Sequence, residues 1–88
     1  MINISYEARF FRMLKRLPKE IVQQLSDKTE LFKKNPNDPS LRVHPLSEKM
    51  KGLYAFSVNY SIRVIFQKPK SETILFISVG PHNAVYRE

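Results

Sequence analysis

The sequence of 88 residues contains no cysteine, no tryptophan, two histidines and two glycines. Without cysteine the chain has neither disulfides nor thiolate ligands, and two histidines cannot form a closed zinc site. Because Gly52 and Gly80 are the only glycines, there is no glycine-rich loop to bind a nucleoside triphosphate. Paired carboxylates of the glycosidase type and a serine hydrolase elbow also lack support. We therefore expect no metal and no other cofactor.

Negative charge is scarce as well. Fifteen Lys and Arg residues oppose eight Asp and Glu residues, which leaves a net charge of +7. Such an excess favours nucleic acid or an acidic protein as the partner, although solubility alone is the simpler explanation. No long apolar run follows a basic N-terminal region, so the sequence predicts neither a signal peptide nor a membrane span. We expect a cytoplasmic protein that does not bind membranes.

Hydrophobic periodicity predicts a strand followed by two helices. Ile2-Asn3-Ile4 alternates as a strand does, and Ser5 is a suitable N-cap for a helix over residues 6–16. Pro18 interrupts that pattern and suits the first turn of a second helix. The apolar stripe of the second helix consists of Val22, Leu25, Thr29 and Phe32.

The second half of the chain predicts an antiparallel sheet. Turn-forming residues occupy 35–40, and segments rich in β-branched and aromatic residues follow at 53–58, 62–66 and 73–79, with a loop at 68–71. Alternation places Arg63 on the face opposite the main apolar row. We therefore predict one α+β domain over residues 1–88, in which an N-terminal strand and a two-helix antiparallel hairpin pack on a small antiparallel β-sheet. The predicted core contains Phe10, Leu14, Val22, Leu25, Phe32, Phe56, Val64 and Phe66.

Three residues lie where predicted strands meet turns: His44, Arg63 and His82. RNA cleavage without metal requires deprotonation of a ribose 2′-hydroxyl, stabilisation of a phosphorane and protonation of the 5′ oxygen. Imidazole exchanges protons near neutral pH, and guanidinium supplies a permanent, two-pronged cation. A histidine in the core and an arginine in a surface ion pair are the structural alternatives. Both histidines adjoin a proline at a predicted strand end, where functional groups concentrate.

Other basic and aromatic residues are candidates for contacts with RNA. The candidates for phosphate contacts are Arg42, Lys49, Lys51, Lys68 and Lys70, although solvated surface is the simpler explanation for each lysine taken alone. Tyr54, Tyr60 and Tyr86 are suited to stack on bases. Core packing explains Tyr54 better, and Tyr86 is the better functional candidate.

Four motifs resemble the RelE/ParE superfamily of toxins from bacterial toxin–antitoxin systems. They are His-Pro-Leu at 44–46, Lys-Gly at 51–52, Arg-Val-Ile-Phe at 63–66, and Gly-Pro-His at 80–82 followed by Val-Tyr at 85–86. The resemblance spans nearly the whole chain. It implies a RelE-like fold, cleavage of mRNA in the ribosomal A site, and an antitoxin with an acidic or amphipathic segment as partner. By motif position it assigns catalytic roles to His44, Arg63, His82 and Tyr86.

Two positions depart from the family pattern. Pro81 stands where a threonine usually precedes the C-terminal histidine, and it removes a backbone donor. Ser57 lies near the place where YafQ-like members carry another histidine. Since the ParE branch inhibits DNA gyrase, fold alone does not decide the function. The hypotheses are a ribosome-dependent endoribonuclease with His44 as base and His82 as acid, a gyrase inhibitor, and a non-catalytic basic interaction module.

Overall fold

The computed structural model describes residues 2–46 and 52–85. Its elements, in chain order, are β1 (Asn3–Tyr6), α1 (Ala8–Leu14), α2 (Lys19–Lys34), a 3-10 turn (Pro39–Leu41), β2 (His44–Pro45), β3 (Leu53–Ser57), β4 (Ile62–Lys70), β5 (Thr73–Pro81) and α3 (His82–Val85). The predicted α+β class is confirmed. The 3-10 turn, β2 and α3 are additional to the prediction.

The five strands form one sheet in the order β1-β5-β4-β3-β2. Neighbours from β2 to β5 are antiparallel, whereas β1 pairs with β5 in parallel. The sheet is therefore mixed. Periodicity does not reveal this pairing, because β1 and β5 lie at opposite ends of the chain.

The hairpin between β4 and β5 is longer than predicted. β4 continues to Lys70, so the predicted loop at 68–71 is wrong, and the turn occupies residues 71–72 with Glu72 at a φ of 62°. Pro69 is tolerated because the pairing is irregular between Gln67 and Lys70, where a strand residue needs no amide hydrogen for the ladder. Pro69 suggests a turn in the sequence, but in the structure it lies within β4.

The helices begin later than the sequence predicts. Glu7 is the N-cap of α1 and forms no side-chain cap. Ser5 lies within β1 opposite Leu75 of β5, so its prediction as the N-cap is wrong: the strand continues past it. Pro18 is the N-cap residue of α2 rather than its first helical residue.

Both helices pack on one face of the sheet, around a cluster of aromatic rings. Phe32 of α2 stacks on Phe56 of β3 with ring centroids 5.1 Å apart. Six of the eight predicted core residues are buried: Phe10, Leu25, Phe32, Phe56, Val64 and Phe66. Leu14 is only partly buried against this core, and the prediction for Val22 is wrong because 36% of it is exposed. Val22 lies on the rim of a groove between α1 and α2 instead of beneath α2.

A smaller apolar cluster covers part of the other face. Ala55 of β3, Ile65 of β4 and Val85 of α3 are buried together. Short helix α3 therefore packs on the face opposite the two long helices. No helix within residues 2–46 and 52–85 is both long and apolar enough to cross a membrane.

Candidate functional site

His44 and Arg63 lie on the same face of the sheet. His44 is opposite Ala55, and Ala55 is opposite Ile65, so these three side chains share a face. Arg63 lies two residues from Ile65 on β4 and therefore points the same way. Strand spacing and rise separate the Cα atoms of His44 and Arg63 by roughly 12 Å. The predicted orientation of Arg63, away from the main apolar row, is what the register requires.

His82 lies on the other side of Arg63 from His44, because it follows β5. It follows the end of β5 and opens α3, two residues after Gly80, which is opposite Arg63. α3 packs on this face through Val85. The strand order thus places β2, which carries His44, and β5, which leads to His82, on opposite sides of Arg63.

The ring of exposed His44 is oriented by the main chain. Its Nδ1 lies 2.9 Å from the carbonyl oxygen of Arg42. A carbonyl oxygen only accepts hydrogen bonds, so Nδ1 carries the hydrogen. In the neutral ring Nε2 is then unprotonated and has a free lone pair. This tautomer is the one that a general base requires.

The Arg63 guanidinium is held by carbonyl groups of the β3–β4 turn. The side chain is half-buried, and its Nη1 donates to the carbonyl oxygens of Asn59 at 3.4 Å and Tyr60 at 3.2 Å. Among the described residues, no carboxylate forms an ion pair with Arg63. Two carbonyl dipoles orient the guanidinium, and its charge remains available to an anion.

A cleft of about 290 Å³ opens beside Arg63, between α2, the 3-10 turn and the β3–β4 turn. We call it the basic cleft. Its polar lining includes Lys28, Ser40, Arg42, Ser57, Tyr60 and Arg63. Three of these residues are cations, and none of the described residues that line the cleft is acidic. Because like charges in one concavity repel each other, the basic cleft is electrostatically suited to an anion.

Arg42 connects the basic cleft to His44. It follows the 3-10 turn in a left-handed conformation with a φ of 53°, which costs a non-glycine residue roughly 1–2 kcal/mol. The turn is capped by Asp38, whose Oδ1 accepts from the hydroxyl of Ser40 at 2.6 Å and from its amide at 2.9 Å. The Ser40 hydroxyl first, and then its amide, lower the pKa of Asp38. The capped turn directs the Arg42 side chain into the cleft and its carbonyl group to His44.

Ser57 lies directly opposite Arg63 on β3 and lines the basic cleft. It is the residue near which the family pattern would have a further histidine. Its hydroxyl does not titrate in the physiological range, so Ser57 cannot replace a histidine as an acid or base.

The remaining candidates are not gathered at Arg63. Lys68 and Lys70 lie towards the other end of β4, roughly 16 and 23 Å from Arg63 along the strand. The Lys68 ammonium is 4.6 Å from the ring centroid of Tyr54, which suits a cation–π contact. Both lysines stay predictions as RNA contacts. Three further candidates lie outside the described residues: Lys49, Lys51 and Tyr86.

Sequence reasoning missed Lys28 and Ser40. The Asp-Pro-Ser segment at 38–40 is a recognisable capping pattern, so the turn was open to prediction. Lys28 had no such signal, since it adjoins the apolar stripe of α2 as many solvated lysines do. Among the described residues, no three His, Asp or Glu side chains are grouped as a metal site requires.

No protein-family model matches this sequence, and no curated protein matches it significantly. Solved structures do match. YafQ from E. coli strain BL21(DE3) is 21% identical with a TM-score of 0.81, over 99% of this chain and 100% of that chain. YafQ in the E. coli DinJ-YafQ toxin-antitoxin complex is 20% identical with a TM-score of 0.79, over 98% of both chains. The YoeB/ParE toxin from Agrobacterium tumefaciens is 14% identical with a TM-score of 0.74, over 92% and 99%.

These similarities confirm the predicted RelE-like fold. The chain has the fold of YafQ, which is seen with DinJ in a toxin-antitoxin complex, and of the YoeB/ParE toxin.

Proposed function

We propose that this protein is the toxin of a type II toxin–antitoxin system and a ribosome-dependent endoribonuclease that cuts mRNA in the ribosomal A site. The observation that supports this proposal is the strand order, in which β2 with His44 and β5 leading to His82 flank the oriented guanidinium of Arg63. The fold shared with YafQ supports the assignment as a toxin.

In the proposed reaction, Nε2 of His44 removes the proton from a ribose 2′-hydroxyl. The 2′ oxygen attacks the adjacent phosphorus, and the Arg63 guanidinium stabilises the additional negative charge of the phosphorane. His82 donates a proton to the departing 5′ oxygen. The products are a 2′,3′-cyclic phosphate and a free 5′-hydroxyl, and no metal or other cofactor takes part.

The proposed partner is an antitoxin with an acidic or amphipathic segment. The net charge of +7 and the absence of acidic residues from the described lining of the basic cleft support such a segment. An acidic segment over this face would cover Arg63 and so prevent RNA from entering.

The proposal is tested by expressing folded variants in cells and locating cuts in mRNA by primer extension. Arg63→Ala removes one transition-state donor and should reduce cutting by about 10²–10³. His44→Ala and His82→Ala each remove a proton-transfer step, which is worth typically 10²–10⁴. The double histidine variant should lose less than the product of the two effects, because the groups act as a unit.

Arg12→Ala is the matched control, since Arg12 is an exposed cation on α1. It should cut mRNA and arrest growth as the unmodified protein does. If the triple variant with alanine at 44, 63 and 82 remains fully toxic, the nuclease proposal fails. Loss of negative supercoiling in plasmids from those cells would then identify a gyrase inhibitor of ParE type.

A further inference from the structure

The basic cleft extends beyond the groups that the proposed reaction uses. Lys28 of α2 and Arg42 contribute two cations to it, besides Arg63. Neither takes part in proton transfer or faces the attacked phosphorus in the proposed mechanism. Three cations from three separate elements nevertheless converge on one concavity of about 290 Å³, close to the lower size limit of small-ligand pockets, roughly 300 Å³.

The carboxylate of Asp38 does not line the cleft and is already hydrogen-bonded. Asp38 accepts both hydrogen bonds from Ser40, and the Ser40 hydroxyl in turn accepts from the Lys28 ammonium at 3.5 Å. Lys28 is thus held at the cleft by the Ser40 hydroxyl and not by a carboxylate. Its charge is the smallest of the causes that lower the pKa of Asp38. Its ammonium retains donors for a second acceptor.

An aromatic ring stands at the rim of the same cleft. Tyr60 is 96% exposed, although its own carbonyl group helps to hold Arg63. A tyrosine ring this exposed gains little from burial, and a planar group can stack on its face. Cations in a groove beside an exposed aromatic ring are the combination with which proteins bind single-stranded nucleic acid.

We propose that the basic cleft is a second RNA subsite, in which Lys28 and Arg42 bind a phosphate adjoining the one at Arg63 and Tyr60 stacks on a base. This inference rests on the proposed function and adds to it the residues that position the RNA. An acidic peptide is the competing occupant. RNA accounts for both the cations and the exposed ring, whereas carboxylates account only for the cations.

The test measures binding rather than cutting. The full chain carrying His44→Ala and His82→Ala is titrated into a short fluorescein-labelled single-stranded RNA, and anisotropy is followed as sodium chloride is raised. On this background Lys28→Gln keeps a donor for Ser40 and removes the charge, and Arg42→Ala removes the forked cation. Each should weaken binding several-fold and reduce the salt slope by about 0.7, the value for one lost phosphate contact with a single strand.

Tyr60 provides a readout that charge does not affect. Tyr60→Ala should weaken binding at least about fivefold with an unchanged salt slope, because stacking releases no counterions. Tyr60→Phe should bind as the parent does. Lys33→Ala is the matched control: Lys33 is an exposed lysine of α2 that pairs with Glu30 outside the cleft, and its loss should leave affinity and slope unchanged.

Three results would overturn the subsite. In the first, Lys28→Gln and Arg42→Ala bind RNA as Lys33→Ala does. In the second, Tyr60→Phe binds RNA as weakly as Tyr60→Ala. In the third, the two cation variants weaken binding of labelled polyglutamate but not of RNA. The proposed function fails separately. If RNA binding follows the expected pattern but the unmodified chain never cuts mRNA in cells, the subsite stands and the nuclease does not.

Discussion

At the level of single residues, the orientations of His44 and Arg63 depend on hydrogen bonds to the main chain. The Arg42 carbonyl decides which nitrogen of His44 is protonated, and two carbonyl groups of a turn orient Arg63. Such contacts fix a side chain without neutralising it, so its charge or lone pair remains available for a substrate. The sequence indicates the residue types but not these contacts.

The capping carboxylate of Asp38 should make stability depend on acid pH. Hydrogen bonds, chiefly from the Ser40 hydroxyl, lower its pKa in the folded protein below the ordinary value of 3.8. Its stabilising contribution is therefore present above pH 3.8 and is lost as the pH falls through the lowered value. Urea unfolding should show Asp38→Ala to be less stable than the parent at pH 7, and the difference should shrink in acid.

Ser40→Ala is the companion variant, because it removes the largest cause of the lowered pKa. It should reproduce part of the loss at pH 7 and part of the pH dependence. A constant difference between Asp38→Ala and the parent at all pH values would contradict the argument.

At the level of secondary-structure elements, α2 buries only a narrow part of its surface against the rest of the protein. Its buried residues are Leu25, Thr29 and Phe32, whereas Val22 on the same helix lies at a groove rim. Sequence periodicity placed all four in one stripe, but a helix of 16 residues contacts the sheet over only part of its length. The extent of contact depends on where α1 and the sheet end.

Two alanine substitutions on α2 should therefore differ sharply. Leu25 is 6% exposed, so Leu25→Ala leaves a cavity and should reduce the free energy of unfolding by about 2–5 kcal/mol. Val22 is 36% exposed, and Val22→Ala should cost less than about 1 kcal/mol. Urea denaturation of both variants measures the difference. Equal losses would contradict the assignment of the core.

At the scale of the whole molecule, the excess of positive charge should govern association with the antitoxin. We expect the acidic segment to bind near Lys51, Arg63 and Lys68. Arg63 and Lys68 are roughly 16 Å apart along β4, and Lys68 lines a pocket with Phe32 and Phe66 on the helix-bearing face. A segment that contacts both must therefore pass from one face of the sheet to the other. Affinity should fall as salt rises, since exposed charges are screened beyond roughly 8–10 Å at ordinary ionic strength.

Calorimetric titration of the antitoxin at several salt concentrations checks this expectation. Arg63→Ala and Lys68→Ala should each reduce both the affinity and its salt dependence, while Arg12→Ala, at an exposed cation of α1, should change neither. Affinity that does not depend on salt would indicate an interface that is wholly apolar.

Much of the fold could be predicted because its signals are local. The periodicity of α2 and the β-rich segments that became β3, β4 and β5 depend on neighbouring residues, and they were located correctly apart from their ends. Ser5 and Pro69 were misjudged for one physical reason. Each has a strong local preference that strand pairing overrides, and pairing depends on residues far away in the sequence.

Composition and alternation are properties of the chain, and they are enough to predict the α+β class, the excess of positive charge and the side of β4 on which Arg63 lies. Three further features follow from tertiary packing: the parallel pairing of β1 with β5, the approach of Lys28 on α2 to the β3–β4 turn, and the orientation of His44 by Arg42. These contacts join residues whose separation along the chain carries no periodic signal. They form because burying the apolar faces of the helices and the sheet fixes where the polar groups at their edges meet.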